Sequence, residues 1–339
     1  MTQLPKHLIE SPEADPQAPG LRLLDDVLAM IRLSGAIFLR AEFRAPWALE
    51  SPLPSELGTV LSTTAKRLIL FHIVVEGACL TRLDTGTEAT ATAGDVIVLP
   101  YGDRHVMSSD DATAPVSVVA LLERPPWTTF PALRLGARGA PTRIVCGYLR
   151  CDDPIFDPVV RALPPLFVVT PPSGPSASWV AASIQYALHA TDGRAAAEGG
   201  VGTRLPELVL AEVLRLYIKS RPRDLGGWLA AVRDPHVGRA LVELHASPAQ
   251  AWTVAELARR AACSRSTLDQ RFRQLLGRSP MRYVTEWRLR MAATLLRDTS
   301  LGVAAVAYRV GYESEEAFNR AFKRVHGVPP AQWRRHLAD

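Results

Sequence analysis

Residues 254–277 and 303–327 are two versions of one pattern, and no other feature restricts the fold of this chain as strongly. Val254, Leu257, Ala258 and Ala261 return as Val303, Val306, Ala307 and Val310, at an offset of 49. Ser264, Leu268, Phe272, Gly277 and Pro280 return as Ser314, Phe318, Phe322, Gly327 and Pro330, at an offset of 50. The second copy therefore carries one more residue in its middle turn. Such agreement in spacing and chemistry marks a repeated supersecondary unit.

Each copy reads as a short helix, a tight turn and a longer helix. Thr253 caps the first helix and Glu256 lies three residues on, a capping box. Ser264 and Ser314 cap the two longer helices, and Gly277 and Gly327 stop them. Leu268, Phe272 and Leu275 mark the apolar side of the first longer helix; Phe318, Phe322 and Val325 mark that of the second. This is helix-turn-helix geometry, in which the second helix can enter the major groove of DNA. Ser279 and Pro280 start a connecting helix that runs to about Arg297. Its 18 residues span about 27 Å, against about 34 Å for one turn of DNA. Two such units can reach successive major grooves.

The faces turned from the apolar sides carry the candidate DNA contacts. On the first longer helix these are Arg265, Ser266, Asp269, Gln270 and Arg273. On the second they are Glu315, Glu316, Asn319, Arg320 and Lys323. Gln270, Asn319 and Arg320 have the chemistry for base edges, and Arg265, Arg273 and Lys323 suit phosphates. Glu315 and Glu316 also sit where negative charge suits the helix dipole. The charge distribution agrees: residues 224–339 hold 18 basic and 11 acidic residues, a net of +7, leaving −2 to residues 1–223. A basic region joined to a near-neutral one implies a polyanionic partner for the basic part alone.

Ala307-Tyr-Arg-Val-Gly-Tyr-Glu-Ser-Glu-Glu-Ala-Phe-Asn-Arg-Ala-Phe-Lys-Arg, followed by Gly327-Val-Pro-Pro, resembles the AraC/XylS family of bacterial transcription regulators. The resemblance covers roughly 235–335 and implies double-stranded promoter DNA and RNA polymerase as partners. In the first copy the family often has Gly-Met/Leu-Ser where this chain has Ala262-Cys263-Ser264.

Ahead of this region the texture differs. Short β-like runs (Ile69–Val75, Cys79–Asp84, Asp95–Leu99, Val116–Leu122, Arg143–Leu149) alternate with turn signals, which points to a sandwich or barrel. Gly94-Asp-Val-Ile-Val-Leu-Pro100-Tyr-Gly102-Asp-Arg-His105 fits G-x5-P-x-G-x2-H, the second motif of cupin barrels. Phe71-His72-Ile-Val-Val-Glu76-Gly77 looks like a reduced first motif. With Trp47, Cys146-Gly147-Tyr148 and a helix over Leu205–Arg221, residues 21–220 resemble the cupin sensor domain of a subgroup of AraC-type regulators. Cupins often hold a metal through three histidines and a glutamate. Here Leu70 stands at the first histidine and Ser109 at a usual asparagine, leaving His72, Glu76 and His105 as effector-pocket candidates. In a straight strand His72 and Glu76 share a face about 13 Å apart, so one metal takes both only if the chain bends near Gly77. His72, His105 and Cys146 form an alternative mixed set for a divalent metal, zinc or iron. Cys79 and Cys146 are candidates for oxidant sensing, which needs exposure and a cationic neighbour. A small organic effector, and histidines that merely plug the barrel, remain the other readings.

The expected architecture is multidomain α+β. Residues 1–20 form a flexible tail, 21–175 a cupin-like barrel, 176–226 a helical linker with a candidate dimerisation hairpin, and 227–339 an all-α double helix-turn-helix domain. Helices at 179–221 have two readings that are compatible with each other, packing against the barrel and a dimer interface, and a homodimer is the expectation from the second. The longest apolar run, Leu68–Val75, is broken by His72 and falls far short of the roughly 20 residues of a membrane helix. Four cysteines without framework spacing fit a reduced, cytoplasmic chain. No phosphate loop or nucleophile elbow is present, so the main expectation is a DNA-binding regulator and no enzyme. The alternative is a cupin enzyme, a dioxygenase or isomerase, with an accessory DNA-binding part.

Overall fold

The computed structural model describes residues 34–61, 68–110, 112–122, 131–136, 138–150, 161–174, 178–179, 182–183, 201–220 and 226–335. The expected tail (1–20), Cys151 and most of the expected helix at 179–190 lie outside them. The chain divides into two compact units, the first running from Val27 to Gly226 and the second starting at Gly227.

The first unit is built from β1 (Ser34–Arg44), β2 (Ala48–Glu50), β3 (Leu68–Glu76), β4 (Ala78–Leu83), β5 (Glu88–Thr92) and β6 (Val96–Leu99). They are followed by β7 (His105–Ser108), β8 (Val116–Ser117), β9 (Ala132–Leu135), β10 (Pro141–Arg150) and β11 (Phe167–Val169). Among the described residues they are joined by α1 (Pro54–Val60), α2 (Val118–Leu121) and α3 (Val201–Ser220). One sheet has the order β11-β6-β3-β10-β1-β9 and the other β5-β4-β7-β2-β8. The pairs β1–β9 and β2–β8 are parallel and the rest antiparallel. The run read as a strand over Val116–Leu122 is extended only at Val116–Ser117 and then turns into α2. A short continuous apolar run does not distinguish the two states.

Period-2 alternation sends Leu70 and Val74 of β3, Ile97 and Leu99 of β6, and Ile144 and Cys146 of β10 into the space between the sheets. There they meet Leu49, Leu83, Ala91 and Met107 of the second sheet in one buried cluster. The opposite face of β3 and β10 (Ile69, Phe71, Ile73, Val145, Leu149) is buried as well. A sheet covered on both sides reads as a near-continuous apolar strand, and β3 (Leu-Ile-Leu-Phe-His-Ile-Val-Val-Glu) does so. Helix α3 packs on this sheet at β1, β10 and β11. Its Val209, Leu210, Val213, Leu214, Tyr217 and Ile218 are buried, and the Tyr217 and Phe167 rings lie 4.1 Å apart. Position 147 must be glycine: a Cβ there would sit 2.1 Å from the Phe71 ring. The expected division at 175/176 is thus not a break between compact units, because α3 belongs with the barrel. Its apolar stripe is turned toward the sheet, the packing reading of this helix; Leu208 stands on the exposed side.

The second unit comprises α4 (Gly227–Arg233), α5 (Val237–Ala246), α6 (Val254–Arg260), α7 (Arg265–Leu276), α8 (Pro280–Asp298), α9 (Val303–Arg309), α10 (Glu315–His326) and α11 (Pro330–Arg335). The hydroxyls of Thr253, Ser264, Ser279 and Ser314 accept backbone N–H bonds at the starts of α6, α7, α8 and α10. Gly277 and Gly327 end α7 and α10 in the left-handed conformation. The capping box at Thr253 is only half formed, because the Glu256 carboxylate turns to Arg259 and Arg260 instead. Leu289, Ala293 and Leu296 of α8 pack with Val306, Phe318 and Phe322 in one core. On its other stripe, Tyr283 and Trp287 meet a buried polar group. The Trp228 indole donates to the Tyr283 hydroxyl (2.8 Å), which is hydrogen-bonded to Nε2 of His245 (2.9 Å). The His245 ring stacks on Trp287 at 3.6 Å, and burial holds it neutral by lowering its pKa to about 3.

Arg288, midway along α8, joins both halves of this unit. It donates to the carbonyls of Pro248 (2.8 Å) and Gln250 (2.7 Å) before α6, and of Gly311 (3.0 Å) between α9 and α10. Gly311 itself lies against Ala249, where a Cβ would approach the Ala249 Cα to 2.7 Å.

Candidate functional site

Two surfaces carry the candidate residues, one in each unit. In the helical unit α7 and α10 are each held from below by their aromatic and leucine side chains. Leu268, Phe272, Phe318 and Phe322 are fully buried. Above them Arg265, Ser266, Gln270 and Arg273 of α7 are exposed, as are Glu315, Glu316, Arg320 and Lys323 of α10. Asp269 and Asn319 are half-buried. Several cations on these faces have partners on their own helix: Arg273 Nε lies 2.7 Å from Asp269 and Arg320 3.7 Å from Glu316. Such pairs on exposed surfaces are worth little in water and yield readily to phosphate. Asp269, Glu315 and Glu316 thus sit among the cations of the same faces. Val325, expected on the apolar side, is 49% exposed. The stripe continues from Phe318 and Phe322 to His326, whose ring lies 4.2 Å from Phe322 and 4.9 Å from Trp333.

In the barrel unit the loop between β6 and β7 explains the glycine-proline motif. Gly94 and Gly102 take positive φ, 97° and 65°, as the chain enters β6 and then crosses from one sheet to the other. The crossing delivers His105 inward on β7, opposite His72 on β3. Their Nε2 atoms are 3.0 Å apart, so the pair bridges the two sheets. His105 Nδ1 lies 2.8 Å from the Asp103 carbonyl oxygen and can only donate to it. Its Nε2 therefore carries a lone pair and accepts from His72 Nε2–H. His72 Nδ1 is left as a buried acceptor without a hydrogen-bond partner among the described residues. Burial keeps both rings neutral, moving His72 well below the ordinary histidine range and His105 down to about 4. Sequence reasoning found both histidines; the bond between them was not legible in it.

The pair lies on the wall of a cavity between the sheets. Leu39, Leu49, Leu70, Met107, Val118 and Cys146 line it with them. The cavity is small, about 40 Å³, well under the roughly 300–1,000 Å³ of sites for drug-sized ligands.

Glu76 is not part of this site. Val74 pairs with Ile144 and Glu76 with Arg143, so Val75 is an extra residue, a bulge that reverses the facing of the strand beyond it. Glu76 points outward and pairs with the Arg143 guanidinium at 2.5 Å. The chain does bend at Gly77 (φ 79°), but beyond the glutamate. Nor does the set His72, His105 and Cys146 fit a divalent metal. Among the described residues no group of three or more His, Cys, Asp or Glu could hold an ion. The Cys146 thiol is pushed well up by burial, away from the thiolate a metal needs. Cys79 and Cys146 also fail as oxidant sensors by the criteria set for them. Both are buried, and burial raises Cys79 to about 12, whereas reactive thiols are exposed and lowered. Ser109, at the place of the usual asparagine, accepts from the Trp47 backbone N–H at 2.9 Å and leaves the cavity to others.

Known proteins give the same outline. A family described as "Cupin" matches residues 22–219, and one described as "Helix-turn-helix domain" matches 257–336. An AraC-like transcription regulator of Streptomyces lividans is 33% identical over 92% of this chain and 98% of its own length. The HTH-type transcriptional regulator AlkR of Acinetobacter baylyi is 27% identical over 80% of this chain and 89% of its own. Among solved structures, the DNA-binding domain of the global transcriptional factor AdpA in complex with a target DNA is 35% identical. It covers 30% of this chain and 92% of that one, with a TM-score of 0.29.

Proposed function

The chain belongs to the AraC-type transcription regulators that carry an N-terminal cupin domain, and from that premise we propose how it reads DNA and what controls it. It is a DNA-binding regulator, not an enzyme. The helices α7 and α10 enter successive major grooves of one operator. Gln270, Asn319 and Arg320 read base edges; Arg265, Arg273 and Lys323 hold phosphates. Ser266 lies beside Arg265 at the start of α7, where helix N-termini meet the backbone of DNA. The observation that carries this reading is that both helices show the same construction. A serine cap, a buried apolar stripe and a polar outward face recur in each.

A signal bound in the barrel cavity shifts the protein between states that differ in operator affinity. A homodimer places two such readers on a longer operator, and RNA polymerase is the partner at the promoter. No helix among the described residues is long and apolar enough to cross a membrane, and a cytoplasmic location follows from the proposed partners.

Operator selection from random duplexes followed by footprinting tests the DNA reading. A single operator with two protected major-groove segments is expected. Arg320→Ala should reduce affinity by about 1–3 kcal/mol and relax the base preference at one position, whereas Lys323→Ala should weaken all sequences alike. Unchanged operator affinity in both Arg320→Ala and Gln270→Ala would remove the assignment of α7 and α10.

A further inference from the structure

We propose that Glu316 is a specificity-determining residue of the second reading helix. Its carboxylate accepts from the N4 amino group of a cytosine in the major groove, close to a guanine read by Arg320. This rests on the reading of α7 and α10 as the groove-entering helices and names the base chemistry of one half-site.

The two helices match position by position, so their differences are informative. At the offset of 50, Arg265 and Ser266 at the start of α7 become Glu315 and Glu316 at the start of α10. The N-terminal residues of a recognition helix are the ones that meet base edges. A cation or a hydroxyl there suits DNA of any sequence, because phosphates and base acceptors surround it. A carboxylate does not. Guanine N7 and O6, adenine N7 and thymine O4 are all acceptors in the major groove and repel it, so it fits only where an amino group donates. Of the two bases with an amino group on this edge, adenine sets the acceptor N7 beside its N6, whereas cytosine presents N4 with no acceptor of its own. Cytosine is the base that fits.

Geometry singles out Glu316 from its acidic neighbours. At roughly 100° per residue, Glu316 and Arg320 lie one turn apart in the middle of the face opposite Phe318 and Phe322, and Glu315 lies on the flank. The Glu316 side chain is 88% exposed and lies 3.7 Å from the Arg320 guanidinium, itself 74% exposed. The pair is loose, and both ends reach outward. Asp269 of α7 is instead held 2.7 Å from Arg273 and is 38% exposed, a carboxylate engaged by its own helix. Four residues of helix rise about 6 Å against about 3.4 Å per base step, so Glu316 and Arg320 reach base pairs one or two steps apart. Arg320 suits guanine O6 and N7.

Charge separates the roles of the two helices. The outward face of α7 has two cations (Arg265, Arg273) and one anion (Asp269), a net of +1. That of α10 has two of each (Arg320, Lys323; Glu315, Glu316), a net of zero. Affinity without sequence preference comes from neutralising phosphates. The first helix therefore anchors on the backbone, and the second holds only where its bases are right.

The test is selection from random duplexes with the full chain and its Glu316→Gln and Glu315→Gln variants, followed by affinities for single-base changes in the selected operator. The α10 half-site is the one in which Arg320→Ala relaxes a base. One position there should be cytosine in the parent, with other bases costing about 5- to 150-fold in affinity. In Glu316→Gln the preference at that position should move to adenine, because glutamine pairs with adenine N6 and N7. Affinity for random DNA should rise with the loss of a negative charge. Glu315→Gln should strengthen all sequences alike and leave the preference in place. A preference is a ratio of affinities within one variant, so a change in fold stability does not move it. The cytosine contact is overturned if no cytosine is selected in that half-site, if Glu316→Gln keeps the parent's preference, or if the two glutamate variants behave alike. Arg320→Ala separates the two levels. If it weakens the operator while Glu316→Gln changes nothing, the cytosine contact falls and the groove reading stands. If Arg320→Ala and Gln270→Ala leave the operator untouched as well, both fall.

Discussion

Replacing Arg288 by methionine isolates what holds the two helix-turn-helix units in one register. Methionine keeps most of the aliphatic stem and removes the three bonds to Pro248, Gln250 and Gly311. A hydrogen bond from a charged donor contributes about 1.5–3 kcal/mol when fully buried. Arg288 is only half-buried, and the freed carbonyls regain some water, so the loss comes to about 2–4 kcal/mol in total. For a helical unit of this size that lowers its Tm by about 10 °C. Scanning calorimetry of the full chain should show this drop in one transition while the barrel transition stays in place. The second readout is specific to register. A one-base-pair insertion between the two halves of the selected operator should penalise the parent protein strongly and Arg288→Met much less, because its units are no longer fixed against each other. Arg288→Lys should behave like the methionine variant, since one ammonium cannot fork to three carbonyls. An unchanged Tm together with unchanged sensitivity to the insertion would refute the clamp, and full rescue by lysine would refute the fork geometry.

Three further outcomes are expected. Ala262 has φ 52°, where Gly311 occupies the matching turn of the second copy, so Ala262→Gly should raise stability by about 0.5–1 kcal/mol in urea denaturation, and a destabilised variant would contradict the strain. His105 titrates near 4 when folded and near 6.5 when unfolded, so the unfolded state binds more protons between those values. The barrel should lose up to about 3 kcal/mol as pH falls from 6.5 to 4, and a barrel transition independent of pH in that window would count against neutral buried histidines. Gly147→Val places a side chain in the space of the Phe71 ring and should destabilise the barrel by at least about 3 kcal/mol; a near-neutral result would show that the Phe71 ring is free to move aside.

The helical unit was readable because its determinants are local. A cap, a glycine stop and an apolar stripe lie within a dozen residues of one another, and the repeat states each of them twice. The errors there occur at ends: Val325 falls one position off the 318/322/326 stripe, and Glu256 finds two arginines closer than the N–H it was expected to cap. In the barrel the inward parity of His72 followed from alternation, but that of Glu76 did not survive the extra residue at Val75. A bulge leaves no mark in a pattern of period two. The strands β2, β8 and β11 are two or three residues long, too short to show any period. Non-local contacts were the least legible. Nothing in the sequence signals that Arg288 reaches carbonyls 23 to 40 residues away.

The burial of β3 and β10 on both faces has a consequence for how this sensor can be cut out or transplanted. The helix α3 begins well downstream of β11, the last described strand, yet it packs on β1, β10 and β11 of the sheet whose far face carries Ile69, Phe71, Ile73, Val145 and Leu149. A fragment ending after β11, at the Pro-rich stretch that looks like a natural stopping point, would strip α3 from this sheet, lay greasy surface open to solvent and to its neighbours, and should precipitate. One carried through Ser220 should stay in solution. For the same reason a chimaera that exchanges sensors between regulators must move the barrel and its distant helix as one piece.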